Sequence, residues 1–240
     1  MKSFSITDIG QTRSVNQDTV YCFENAIGNL SNLFIVADGM GGHNAGDYAS
    51  KLCVKEVVDS IKLSKENTPI SILEEALRKA NQKIYEEAKT EETLQGMGTT
   101  LVIATIVGDN LFVGNVGDSR LYLMRDRLQQ ITEDHSLIEE MVKSGELQKD
   151  EMNKHPSKNI ITRAIGTNEE VEADFFEITI KKDDIILLCS DGLTNMLNDE
   201  VITQIIKSND SHIEEAARDL IRQANEAGGK DNISTVLIYL

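Results

Sequence analysis

Between Leu33 and Gly46 the chain reads LFIVADGMGGHNAG, and the other segments are organised around it. The apolar run Leu33 to Ala37 reads as a buried strand that stops at Asp38-Gly39. Aspartate disfavours a strand interior, and glycine supplies the backbone freedom of a sharp exit. A carboxylate is therefore held at the rim of a sheet. The device recurs where Ile185 to Cys189 run apolar and Ser190 leads into Asp191-Gly192. Asp118 follows the run from Leu111 to Gly117, and Asp231 just precedes the run from Ile233 to Leu240. Four carboxylates on strand ends and turns imply one acidic pocket.

Working outward, residues 3–9 and 19–23 read as short strands flanking the polar segment GQTRSVNQD. A helix is expected over about 45–63, with Ala49, Leu52, Cys53, Val57 and Ile61 on one face. A second follows Pro69, where Ile72, Leu73, Ala76, Leu77, Ala80, Ile84 and Ala88 keep helical period. From Gly98 the period changes, and 99–107 and 111–116 form a hairpin about Gly108-Asp109-Asn110. Residues 120–125 and 127–132 continue it as a meander. Strands are expected again at 160–165, 174–180 and 184–189. Two closing helices precede the last strand, the clearer carrying Ile213 to Ala224 and stopping at Gly228-Gly229. Strands cluster and helices come in pairs, which fits α+β with antiparallel sheets rather than parallel winding. Residues 136–160 begin helically and then lose pattern. They read either as a surface insertion or as a flap beside the site.

The 240 residues are assigned to a single domain, 1–240, long enough to bury a substantial core. A net charge of −16 without any basic run disfavours nucleic acid and anionic membranes as partners. Cys22, Cys53 and Cys189 are too few and too scattered for zinc spacing or a disulfide framework. The amino terminus lacks a signal-peptide pattern, and no run approaches the roughly 18 apolar residues of a membrane span. The expected compartment is the cytoplasm.

If the four aspartates converge, they repel: two charges at ~4 Å cost about 4 kcal/mol at an effective dielectric near 20. Cations relieve that, and an all-oxygen donor set selects Mg²⁺ or Mn²⁺ over zinc. A carboxylate between two such ions suits activation of water for attack on phosphorus. Arg13, in a polar segment with Asn16, Gln17 and Asp18, offers the fork that matches phosphate oxygens. Rival motifs fail. Gly39 to Asn44 lacks the third glycine of a dinucleotide loop, and Asp47 stands where a P-loop needs lysine. Asn195 stands where a cysteine phosphatase built on Cys189 needs arginine.

Eight motifs now stand in order: Arg13-x-x-Asn16-Gln17-Asp18, Ala37-Asp38-Gly39-Met40-Gly41-Gly42-His43, Gly98-Thr99-Thr100, Asn115-Val116-Gly117-Asp118-Ser119-Arg120, Asp134-His135-Ser136, Ile161-Thr162-Arg163-Ala164-Ile165-Gly166, Ser190-Asp191-Gly192-Leu193 and Gly229-Lys230-Asp231-Asn232. Over nearly its whole length the chain resembles the bacterial protein phosphatase 2C family of metal-dependent serine/threonine phosphatases. The resemblance implies a four-layer α-β-β-α sandwich with two central antiparallel sheets, paired outer helices and a flap over about 136–160. It implies hydrolysis of phosphoserine and phosphothreonine esters on proteins by a hydroxide bridging two Mn²⁺ or Mg²⁺ ions, opposing a Ser/Thr kinase. Asp38 matches the carboxylate bridging the two ions, with the Gly39 carbonyl on the first and Asp191 and Asp231 on the second. Asp118, with Asp191, matches the site of a third ion. Asp18 resembles the acid that bonds metal-held water, Arg13 the phosphate-binding arginine, and Asn232 a neighbour that orients the site.

One departure stands out. Animal relatives carry Asp-Gly-His, whereas here Met40 follows the glycine and His43 is the nearest histidine. His43 is therefore either the general acid or a residue at the substrate edge, with metal-bound water as the alternative proton donor. Two other readings share the fold: a metal-dependent docking module without turnover, and a phosphatase acting on a non-protein ester. The oligomeric default is a monomer.

Overall fold

The computed structural model describes residues 1–42, 45–148, 151, 155–209 and 212–240. Strands β1 (Lys2–Asp8), β2 (Asp18–Phe23) and β3 (Leu33–Met40) lead into helices α1 (Ala45–Leu63) and α2 (Pro69–Thr90). Strands β4 (Gly98–Thr99), β5 (Leu101–Val107), β6 (Asn110–Val116), β7 (Arg120–Met124) and β8 (Leu128–Gln130) precede α3 (Leu137–Ser144). Then come β9 (Asp174–Thr179), β10 (Ile185–Cys189), α4 (Asp191–Thr194), α5 (Asp199–Ser208), α6 (Ile213–Glu226) and β11 (Ile233–Tyr239). One sheet runs β1-β11-β10-β7-β8 and the other β2-β3-β5-β6-β9, with β4 added to β3. Every strand pairing is antiparallel.

Period-two alternation explains the layers. In β3 the odd residues Leu33, Ile35 and Ala37 pack with α1 and α2, while Phe34 and Val36 face the other sheet. In β10, Leu187 and Cys189 pack with α5 and α6, and Ile186 and Leu188 point inward. Strands buried on both faces are apolar throughout, so β3 and β10 appear as unbroken hydrophobic runs. The sandwich of two antiparallel sheets between helical layers agrees with the expected fold. Among the described residues, no helix is long and apolar enough to cross a membrane.

The same parity positions the site. Extended by one inward step, the inward-facing rows reach Asp18 in β2, Asp38 in β3, Thr100 beside β5, Ser119 before β7, Ser190 after β10 and Ser234 in β11. The apolar seam between the sheets thus ends in a polar layer.

Two expectations need correction. Strand β3 does not stop at Asp38-Gly39 but runs on through Met40, because Gly39 and Met40 pair with Thr99 and Gly98. Residues 160–165 form no strand. They cross the end of the sheets and make two isolated bridges, Ser136 to Ile161 and Thr99 to Ile165. Ala164 and Ile165 are buried by that crossing rather than by a ladder, so their apolar character mimicked a strand.

Candidate active site

Asp38 and Asp18 are directly paired across β3 and β2, so their side chains share one face. The Asp38 backbone is pinned by Thr100, whose N–H donates to the Asp38 carbonyl at 2.8 Å and whose Oγ1 accepts the Asp38 N–H at 3.0 Å. Thr100 Oγ1 in turn lies 2.7 Å from Ser119 Oγ. Gly39 is obligatory because a Cβ there would lie 2.0 Å from the Gly46 carbonyl oxygen of α1. The strand and the helix after it are therefore in backbone contact.

Asp191 opens α4 and Asp231 precedes β11. Asp191 Oδ2 accepts from Asn195 Nδ2 at 2.8 Å, and Asp231 Oδ2 accepts from Arg13 Nη2 at 2.7 Å. Asn232 is 4% exposed and spends its whole amide on the amino-terminal loop. Its Oδ1 accepts the Gln17 N–H at 2.8 Å, while Nδ2 donates to the Ile9 and Val15 carbonyls, both at 3.0 Å. That clasp holds the loop carrying Arg13 beside Asp231. A Cβ on Gly192 would fall 1.9 Å from the Asn232 carbonyl oxygen. No rotamer relieves a clash with backbone, so Gly192→Ala is expected to destabilise the protein by about 3 kcal/mol in urea unfolding. It should also separate Asp191 from Asp231.

Arg13, Asp38, Gly39, Asp118, Asp191, Asp231 and Asn232 all line one cavity of about 270 Å³, with Gln17, Met40, Thr100, Asn159 and Ile161 among its other walls. A larger cavity of about 460 Å³, by Tyr85, Lys89 and Thr167, holds no convergence of acids. Asp18 does not line the site cavity. It lies beneath, 6% exposed, with Oδ2 accepting from Ser190 Oγ at 2.7 Å and Ser234 Oγ at 2.6 Å. His43 lies outside the described residues.

Crowding shows in the proton affinities. Burial, then the charges of Asp18, Asp191, Asp118 and Asp231, drives the Asp38 carboxyl well above the usual range. Burial pushes Asp118 up to about 8, reinforced by Asp191 and Asp134. Asp191 rises to about 6 through burial and Asp231. Asp18 also rises to about 6, mainly through burial, although the two serine hydroxyls oppose the shift.

These residues fit divalent cations. The donors are all oxygen, and among the described residues Asp191 Oδ1 and Asp18 Oδ1 are buried without a hydrogen-bond partner. An orphaned carboxylate oxygen is costly in an apolar surround and is what a cation or its water satisfies. Among the described residues, no three His, Cys, Asp or Glu side chains close into a finished ligand group as they stand. Arg13 and Asn195 hold one oxygen each of Asp231 and Asp191.

Sequence reasoning did not identify Ser190 and Ser234 as the donors that hold Asp18, nor Thr100 as the brace of Asp38. The available signal was their parity: each is polar and in phase with an inward apolar row.

A family model for protein phosphatase 2C matches residues 10–237. The chain is 42% identical over 237 residues to the serine/threonine phosphatase stp of Listeria monocytogenes, covering 97% of this chain and 93% of that one. The structure of the Streptococcus agalactiae serine/threonine phosphatase superposes with a TM-score of 0.91 at 39% identity, covering 100% of this chain and 99% of that one. The catalytic domain of the serine/threonine protein phosphatase PstP, solved with two manganese ions, gives 0.85 at 33% identity, with 98% and 96% covered.

Proposed function

Since this chain belongs to the protein phosphatase 2C family, we propose that it removes phosphate from phosphoserine and phosphothreonine on proteins, using divalent manganese or magnesium held by Asp38, Gly39, Asp118, Asp191 and Asp231. It is a protein-serine/threonine phosphatase, and family chemistry depends on those ions. The observation that carries the assignment of residues is the meeting of four carboxylates from distant segments on one cavity beside Arg13. Asp38 would be shared by two cations, Asp191 and Asp231 would complete the second, and Asp118 with Asp191 would hold a third if one binds.

When bound, the cations neutralise the phosphoryl oxygens and lower the pKa of water, giving a nucleophile near neutral pH. Arg13 supplies a guanidinium fork to the phosphate oxygens. Asp18, beneath the cavity, has Oδ2 held by Ser190 and Ser234, and its Oδ1, without a partner among the described residues, would accept a hydrogen bond from water held by the cations. Asn232 keeps Arg13 at the rim. The protein acts as a cytoplasmic monomer opposing a Ser/Thr kinase; the flap expected over 136–160 lies partly, at 149–150 and 152–154, outside the described residues.

The test is hydrolysis of a phosphothreonine peptide and a small aryl phosphate, with Mn²⁺ and with a chelator. Both substrates should turn over with Mn²⁺ and stop on chelation. Turnover that survives chelation, or none in saturating Mn²⁺, overturns the reading. Cleavage of the aryl ester alone points to a non-protein substrate.

A further inference from the structure

His135 is buried at 6% exposure, lies outside the acidic cavity and is engaged at both ring nitrogens. Its Nδ1 lies 3.1 Å from the Gly117 nitrogen, which donates to it. The His135 N–H returns the bond to the Gly117 carbonyl at 2.9 Å. An Nδ1 that accepts leaves the ring proton on Nε2, and Nε2 faces Asp174 Oδ2 at 3.1 Å. Asp174 is itself held by Arg163 Nη1 at 3.1 Å through Oδ1. Arg163 also sits 3.4 Å from Nε2, but donor faces donor there, so the Asp174 contact fixes the tautomer. Burial lowers the proton affinity of the ring, in keeping with a neutral imidazole.

Gly117 is the residue before Asp118. Its φ is +106°, and a Cβ there would lie 2.7 Å from the Thr100 side chain. Its backbone thus runs where only glycine fits, between Thr100 on one side and His135 on the other. The two ends of the 136–160 segment meet beside this histidine. The Thr162 N–H donates to the His135 carbonyl at 2.8 Å, and Leu137 N–H donates to the Ile160 carbonyl at 2.8 Å.

We propose that His135 is a positioning residue for Asp118, its neutral imidazole fixing the Gly117 amide so that the neighbouring carboxylate is presented to the cavity, with Asp174 and Arg163 holding the ring from behind. The inference rests on the assignment of Asp118 as a cation ligand. A hydrogen-bond partner behind a ligand sets its direction, and losing one commonly costs metal affinity.

The experiment compares the native protein with His135→Leu, His135→Asn, Asp118→Ala and the Asp118→Ala/His135→Leu double variant. Mn²⁺ uptake is read by titration calorimetry, turnover is read against Mn²⁺ concentration, and melting in chelator confirms folding. Asn carries Oδ1 at the branch where His carries Nδ1, so it keeps the acceptor for Gly117 and loses the reach to Asp174. His135→Leu should weaken the weakest Mn²⁺ step about tenfold and raise the Mn²⁺ needed for turnover to match. His135→Asn should recover most of that loss. The double variant should be no worse than Asp118→Ala.

Native Mn²⁺ uptake by folded His135→Leu overturns the proposal, as do equal losses in the Asn and Leu variants or additive losses in the double variant. If Asp118→Ala itself leaves Mn²⁺ uptake unchanged, the ligand assignment fails and the proposal goes with it. If Asp118→Ala loses an ion and folded His135→Leu does not, only the role of His135 fails. Should the Leu variant not fold, the Asn variant decides: Mn²⁺ uptake close to native supports the acceptor role, and uptake as poor as that of Asp118→Ala overturns it.

Discussion

Asp38→Ala and Asp231→Ala proteins are expected to lose at least ~1000-fold in turnover of a phosphothreonine peptide, the upper end of what removing one transition-state-stabilising group costs. Each substitution removes a carboxylate from the cavity, and Asp38 is the member that the other four acids crowd. The same crowding predicts a second, opposite effect. In chelator, Asp38→Asn should melt no lower than the native protein, because it deletes a charge that burial and its neighbours already oppose. Turnover and stability then move apart, which a merely misfolded variant cannot mimic. The readings are steady-state hydrolysis in saturating Mn²⁺ and thermal unfolding in chelator. Native turnover by Asp231→Ala would sink the assignment.

Without divalent cations, the protein should lose stability as pH rises. The sign follows from the direction of the shifts. Asp18 and Asp191 titrate near 6 in the folded chain, Asp118 near 8 and Asp38 higher than its ordinary value by a wide margin. All four titrate near 4 when unfolded, so the folded state holds protons that the unfolded chain has released. Their contribution is intact below about pH 4 and is lost progressively through pH 6 to 8. Millimolar Mg²⁺ replaces those protons, so the gap in melting temperature between Mg²⁺ and chelator should widen from pH 5.5 to 8.5, by on the order of 5–10 °C. Taking the difference at each pH cancels groups remote from the cavity, such as the Arg125–Asp184 pair. A gap that narrows with rising pH contradicts the crowded-acid account.

Much of this was legible in the sequence for identifiable reasons. An apolar run ending in Asp-Gly reveals a strand and the carboxylate at its rim, and helical period over 72–88 reveals α2. What stayed hidden depends on register and crossing. The direct opposition of Asp18 and Asp38 is a pairing of two strands, which neither strand spells alone. The hold of Ser190 and Ser234 on Asp18 requires three strands to meet at one height. Residues 160–165 were misread because burial beneath a crossing segment leaves the same apolar trace as burial in a ladder. Arg13 was legible as a candidate for phosphate, but its bond to Asp231 was not, since nothing local links residues 218 positions apart.

The edge strand β1 pairs along its full length with β11, from Lys2 opposite Tyr239 to Asp8 opposite Ile233. A nascent chain leaving the ribosome therefore carries β1 unpaired until β11 has been made. Asp18 likewise waits for Ser234, 216 residues downstream, before its second hydroxyl arrives. Such long-range closure is slow relative to local folding, so the helices and the β5–β6 hairpin can form while the acids are still apart. The acidic layer beneath the cavity is therefore completed only when β11 docks.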